Sequence, residues 1–269
     1  MKPLIPITLL CVGASAMTIG SVSMFVTPSQ ESKALENNSC VTCHRNITAP
    51  IVVSQRYYDW HLSVHKEKGV GCEACHGGDP SRAEAKQAHA GMLPSSDPAS
   101  RTHGRNQPET CGRCHAEIRS ALAASAHQLK LGIAEIGPTC TTCHRQMANS
   151  TVRSPQEAAA LCATCHNSQD GLMPPRPELV KQAEEVMLAL SRANAVMIWA
   201  DRLIEAAQSQ RVTVTDEQKQ LDQARGELKS ARIEWHTFRF DPVRTKADRA
   251  FTQATAVKDR LMKKLYPGS

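Results

Sequence analysis

Apolar residues in the last third of the chain recur in alternating steps of four and three. Leu179, Ala183, Val186, Leu190, Ala193, Met197, Ala200 and Ile204 form one such seam. That repeat keeps a single stripe of an α-helix apolar and predicts a partner helix lying along it. A second seam runs through Leu221, Ala224, Leu228, Ala231, Trp235 and Phe238, and a third through Val243, Ala247, Ala250, Ala254, Val257 and Leu261. Thr215-Asp216-Glu217-Gln218 resembles a capping box opening the second helix. Asp241-Pro242 reads as an N-cap followed by proline at the first position of the third. Small alanines on the seams permit close helix approach. The pattern predicts an antiparallel, up-down-up three-helix unit over residues 178–265.

No such period runs through the preceding residues. Residues 27–39 read as a polar linker, and 40–170 as short helix-compatible stretches between loops rich in Gly, Pro, Ser and His. Met173-Pro174-Pro175-Arg176-Pro177 marks a boundary, because clustered prolines break regular structure. The expected organisation is therefore mainly α: segment 1–26, a loop-rich region 27–170, and a helical domain 171–269. Residues 3–26 carry no charged side chain. They are long enough to span a bilayer as a helix, yet Ala14-Ser15-Ala16 offers a signal-peptide cleavage site, so a cleaved signal and a membrane anchor both stand.

The loop-rich region is organised by a pentapeptide that occurs five times: Cys40-Val41-Thr42-Cys43-His44, Cys72-Glu73-Ala74-Cys75-His76, Cys111-Gly112-Arg113-Cys114-His115, Cys140-Thr141-Thr142-Cys143-His144 and Cys162-Ala163-Thr164-Cys165-His166. Cys-x-x-Cys-His is the attachment site of c-type haem. The two sulfurs add to the porphyrin vinyl groups, and the following His supplies the proximal iron ligand. Zinc knuckles and disulfides share the paired cysteines, but they do not demand a His directly after every pair. Five covalent c-type haems (heme c) are expected.

Composition agrees. Aromatic residues make up 4% of the chain, a poor supply for a core that five apolar porphyrins would fill. Of the 11 cysteines, Cys11 alone lies outside the motifs, which leaves none for a structural disulfide. The formal charge of +6 would suggest an acidic partner, but the haem propionates offset it, and no nucleic-acid-binding motif is present, so no nucleic acid is expected as a partner.

Hexacoordinate iron needs a second ligand on the opposite face. The histidines outside the motifs are His61, His65, His89, His103, His127 and His236. His65 and His127 share a Ser-x-His context ahead of the next motif. His61 lies four residues before His65 and can share its helix face. His89 and His103 lie in loop-rich stretches, and His236 flanks the second seam, where a packing role competes with ligation. Met92, Met147 and Met173 are sulfur alternatives.

The motifs, with Tyr58-Asp59-Trp60-His61-Leu62-Ser63-Val64-His65 and Cys72-Glu73-Ala74-Cys75-His76-Gly77-Gly78, resemble bacterial multihaem cytochromes c. The likeness is to the superfamily of cytochrome c554, cytochrome c nitrite reductase and hydroxylamine oxidoreductase, over residues 40–166. It implies a haem-packed scaffold and electron transfer. It does not carry over catalysis: such nitrite reductases usually bind the catalytic haem with Lys where all five motifs here have His, and the hydroxylamine enzymes have eight haems and a crosslinking Tyr. A second likeness is to membrane-anchored quinol-oxidising cytochromes, which usually have four haems and no long helical tail.

The sequence thus predicts electron transfer through five closely packed haems in an exported respiratory chain. The alternatives are a reductase of nitrite, hydroxylamine or a related small molecule at one open haem, and a membrane-anchored quinol dehydrogenase. Expected partners are redox proteins, with membrane quinol or a membrane complex as donor, and a second copy packing through the C-terminal helices. The expected location is periplasmic or otherwise extracytoplasmic.

Overall fold

The computed structural model describes residues 35–167, 173 and 175–267. The 3–26 segment, Cys11, most of the 27–39 linker and Pro174 lie outside them. The described residues are helical and loop, with no β-strand among them.

The motif region is built from short helices: α1 Ser39–His44, α2 Ile51–His61, α3 Val64–Glu67, α4 Glu73–His76, α5 Ala85–Ala88, α6 Gln107–Gly112, α7 Ala116–Ala123, α8 Ala126–Ala134, α9 Cys140–His144 and α10 Pro155–His166. Their own apolar core is thin: Leu35, Trp60, Leu122, Leu131 and Ala158 are its buried apolar residues. Hydrogen bonds between near and distant segments link it. The Trp60 indole donates to the Val70 carbonyl at 2.9 Å, and Asn149 reaches Asp59 across the fold at 3.2 Å.

Three long helices follow: α11 Pro177–Ser209, α12 Thr215–Glu234 and α13 Phe240–Leu265. The seams are their buried faces. All six seam residues of α13 are fully buried, as are Leu221, Ala224 and Ala231 of α12, and Ala183, Val186, Ala193 and Ala200 of α11. Ala158 of α10 joins the same cluster. Directions follow from cross-helix pairs. Arg225 pairs with Asp201 and Arg232 donates to Asn194, so α12 runs against α11. Arg192 pairs with Asp248 at 3.2 Å and Lys258 lies over the Trp199 ring at 4.8 Å, so α13 runs with α11. The unit is up-down-up.

The helix starts differ from the sequence expectation. Thr215 is the first helical residue of α12, not its cap; Val214 holds the cap position with no side-chain bond and is itself buried. Gln218, the residue that would close the box, instead donates to Asp222 at 3.2 Å, and Glu217 faces inward. It is 3% exposed and bonds Lys264 of α13 at 2.9 Å. Asp241 is likewise inside the first turn of α13, whose cap is Arg239. The helix begins earlier because Phe240 packs against the Trp235 ring and the apolar cluster. The second seam also stops short. α12 ends at Glu234, a 3-10 turn spans Trp235–Thr237, and Phe238 takes the left-handed conformation at φ 57°. That reversal turns Phe238 away from the seam and toward the motif region.

Candidate haem sites

A Cys-x-x-Cys-His run on one helical turn places its residues at i, i+3 and i+4, which share a face. Four of the five motifs use this device, with α1, α4, α9 and α10 each ending at the motif His. The third departs from it: α6 ends at Gly112, and His115 becomes the cap residue of α7. The helices start where caps are supplied. The Asn38 side chain accepts from the Val41 amide ahead of the first motif, Ser154 accepts from Glu157 ahead of the last, and Thr139 and Thr142 form a capping box on the fourth.

Four motif histidines each face a histidine from elsewhere in the chain. Ring centroids are 6.0 Å apart for His44 and His89, 6.1 Å for His65 and His115, 6.1 Å for His127 and His166, and 6.2 Å for His144 and His236. Metal–imidazole bonds run about 2.0–2.1 Å, so an atom bound between two imidazoles sets their centroids roughly 6 Å apart. Each pair therefore has the separation that an iron held from both sides requires, and the residues fit haem.

The folding that produces two of these pairs is common to both. Ser63 and Ser125 are buried N-caps whose hydroxyls accept from Lys66 and Gln128 amides and donate to the carbonyls of Trp60 and Leu122 at 2.7 Å. Each fixes the start of a helix, α3 or α8, and His65 and His127 occupy the second position of these helices. The Ser-x-His context is thus a capped turn that aims an imidazole. His89 caps the C-terminal end of α5. His236 comes from the reversal between α12 and α13, and its Nδ1 donates to the Arg232 carbonyl at 3.0 Å. That bond leaves Nε2 as the ring nitrogen that could hold a metal.

Burial holds His44, His65, His127, His144 and His236 below the ordinary imidazole value, and a neighbouring imidazole adds to the effect in each. His76 is lowered by burial too, with His44 as its nearby charge. Neutral imidazole is the form that binds metal. The thiols are affected in the opposite sense: burial, with Cys40 close by, pushes Cys72 up to about 12.

His61 and His103 are not brought against a motif histidine. His61 is exposed and stacks on Tyr57 at 5.9 Å. His103 precedes the 3-10 turn Gly104–Asn106, with a buried Nδ1 that has no hydrogen-bond partner. His76 has no facing imidazole at the distance of the other four pairs among the described residues. Of the methionines, Met92 lies against Gly78, Met147 hydrogen-bonds His65 through its backbone, and Met173 is half-buried.

Several contributors were not evident in the sequence. Phe238 packs edge-on against the His127 ring at 4.1 Å. Asn38 donates to Glu73, inside the second motif, at 2.9 Å. Arg113, inside the third, donates to the Ala74 carbonyl of the second at 2.8 Å. Gln107 accepts from the amide and hydroxyl of Thr141, inside the fourth, at 3.1 and 3.2 Å. Asn38 could have been found, since Asn ahead of a short helix is an N-cap signal. The other partners are distant in sequence and carry no local signature.

Comparison with known proteins points the same way. The C-type polyheme cytochrome OmcC of Geobacter sulfurreducens is 29% identical over 89 residues, covering 33% of this chain and 11% of its own. The C-type polyheme cytochrome OmcB of the same species is 29% identical over 117 residues, covering 40% of this chain and 14% of its own. The similarity thus spans a small part of the relatives' length. It supports a multihaem cytochrome c with covalent haem, and electron transfer in general. No protein-family profile and no solved structure matches the chain.

Proposed function

We propose that this multihaem cytochrome carries five covalent haems, one at each motif, and passes electrons between redox partners outside the cytoplasm. Bound haem c supplies a one-electron iron couple at each site. The observation that carries the reading is the set of four facing imidazole pairs at 6.0–6.2 Å. The two imidazoles of a pair would hold a haem iron from both sides and leave no open position for a substrate, which favours electron transfer. His/His ligation also favours a lower potential than Met/His. Attachment of c-type haem takes place outside the bacterial cytoplasm, and the uncharged 3–26 segment suits export by signal or anchor. The donor class is a redox protein or membrane quinol, and pairing of two copies through the helical unit accompanies the proposal. A pyridine haemochrome assay on the purified protein should give five haems per chain; fewer would overturn it.

A second reading has its own observation. His76 alone among the motif histidines lacks a facing imidazole at this separation among the described residues, which favours an exchangeable ligand position there and a small-molecule reductase. Carbon monoxide binding to one ferrous haem per chain, with catalytic oxidation of the reduced protein by nitrite or hydroxylamine, would establish it. An unchanged reduced spectrum under carbon monoxide would leave electron transfer alone.

A further inference from the structure

We infer that the five motif sites lie in one unbranched row in sequence order, with Cys40–His44 and Cys162–His166 at its ends. The inference rests on the five-haem reading above.

Each consecutive pair of motifs is linked by contacts of the motifs or of the residues beside them. The first and second are joined by Asn38, the cap of α1, donating to Glu73, and by the Ser39 amide donating to the Pro80 carbonyl at 2.9 Å. The second and third are joined directly, Arg113 to Ala74, both at interior motif positions. The third and fourth are joined through Gln107, in the helix that carries Cys111, and Thr141. Between the fourth and fifth, the Val152 amide donates to the Cys143 carbonyl at 3.0 Å, which draws the segment leading into α10 back onto the fourth motif. The reversal at Trp235–Phe238 repeats this last adjacency. His236 stacks on His144 of the fourth site, while Phe238, two residues on, packs against His127, which faces His166 of the fifth.

Among the described residues, no side-chain hydrogen bond or ion pair joins two motifs that are not consecutive. The order is not forced by chain connectivity, because the facing histidines cross it: His89 lies after the second motif yet serves the first, and His65 lies before the second yet serves the third. A row has two ends. One electron taken from a donor at one end is matched by one delivered to an acceptor at the other, so the donor is oxidised, the acceptor reduced and the chain unchanged. The first and fifth sites are then the exchange points with partners.

Charges on neighbouring sites interact more strongly than charges on distant ones. The test is an NMR-monitored redox titration of the wild-type holoprotein that extracts the potential shift each haem imposes on every other. Signals are assigned with His89→Met, His65→Met, His236→Met and His127→Met, each altering one site. The four consecutive pairs should show the four largest shifts, and the first–fifth pair the smallest. A non-consecutive pair exceeding any consecutive one would overturn the order. Where a ligand variant fails to fold, iron–iron distances from a cryo-electron microscopy map of the wild-type protein decide the same question. A haem count below five sinks the five-haem reading instead, so the two failures are distinguishable.

Discussion

The imidazole planes of His144 and His236 lie 4° from parallel, whereas the planes of the other three facing pairs are 68–85° apart. The difference has a structural cause. His236 is held by its Nδ1 bond to Arg232, one turn back on the long helical unit, and not by a short capped turn of the motif region. Parallel axial planes split the iron d orbitals that perpendicular planes leave nearly degenerate. The four paired sites of the ferric protein should therefore give one ordinary rhombic low-spin EPR species and three strongly anisotropic ones. His236→Ala should remove the rhombic species and no other. Persistence of that signal would exclude His236 as a ligand.

Ser63→Ala and Ser125→Ala remove a buried cap that both accepts and donates. Each should cost about 0.5–2 kcal/mol of stability, read as a lower chemical-denaturation midpoint. Each should also loosen one imidazole, so a high-spin fraction should grow at the His115 site for Ser63→Ala and at the His166 site for Ser125→Ala. Replacement by Thr, which keeps the hydroxyl, should restore most of both.

Gly78 stands at φ +82°, and a Cβ there would lie 2.5 Å from the Ala88 carbonyl oxygen. That carbonyl already accepts from the Asp79 amide at 2.9 Å, and Ala88 is followed by His89. Both the left-handed backbone and the close approach require glycine. Gly78→Ala should push the α5 loop away and weaken the pairing of His89 with His44. Resonance Raman should then report a five-coordinate fraction at one haem, with the other sites unchanged.

Glu217 is buried, which alone would raise its pKa, but the Lys264 bond and the nearby Arg260 hold it below the ordinary carboxylate value. A carboxylate depressed in the folded state contributes stability above its unfolded pKa of about 4.3, and loses it as pH falls through the lower folded value. Glu234, lowered by its Lys246 bond against burial and by Arg239, adds in the same sense. The thermal midpoint should therefore drop as pH falls below about 4.3. Glu217→Gln should be less stable at pH 7 and show a shallower acid decline. An identical acid profile would show that Glu217 does not contribute.

Much was legible in local patterns. The heptad seams located three helices and their buried faces, because a 3.5-residue repeat needs no information beyond its own segment. The caps were harder. Thr215 and Asp241 have the right residue types, but Val214 and Phe240 gain more by packing into the core, and the helices start where that packing starts. Trp235 and Phe238 continue the apolar step, yet the chain must reverse there, and Phe238 is used on His127.

The sequence by itself determined the chemistry of attachment, since Cys at i and i+3 with His at i+4 is a local requirement that any helical turn satisfies. It also supplied the pool of second imidazoles. Which imidazole meets which motif was decided by tertiary structure alone. His89 turns back to His44, His65 passes over the second motif to His115, and His236 arrives from a separate helical unit. A facing pair is a contact between two distant segments, set by where capped turns and packed helices carry each ring, and no residue type or spacing along the chain records it.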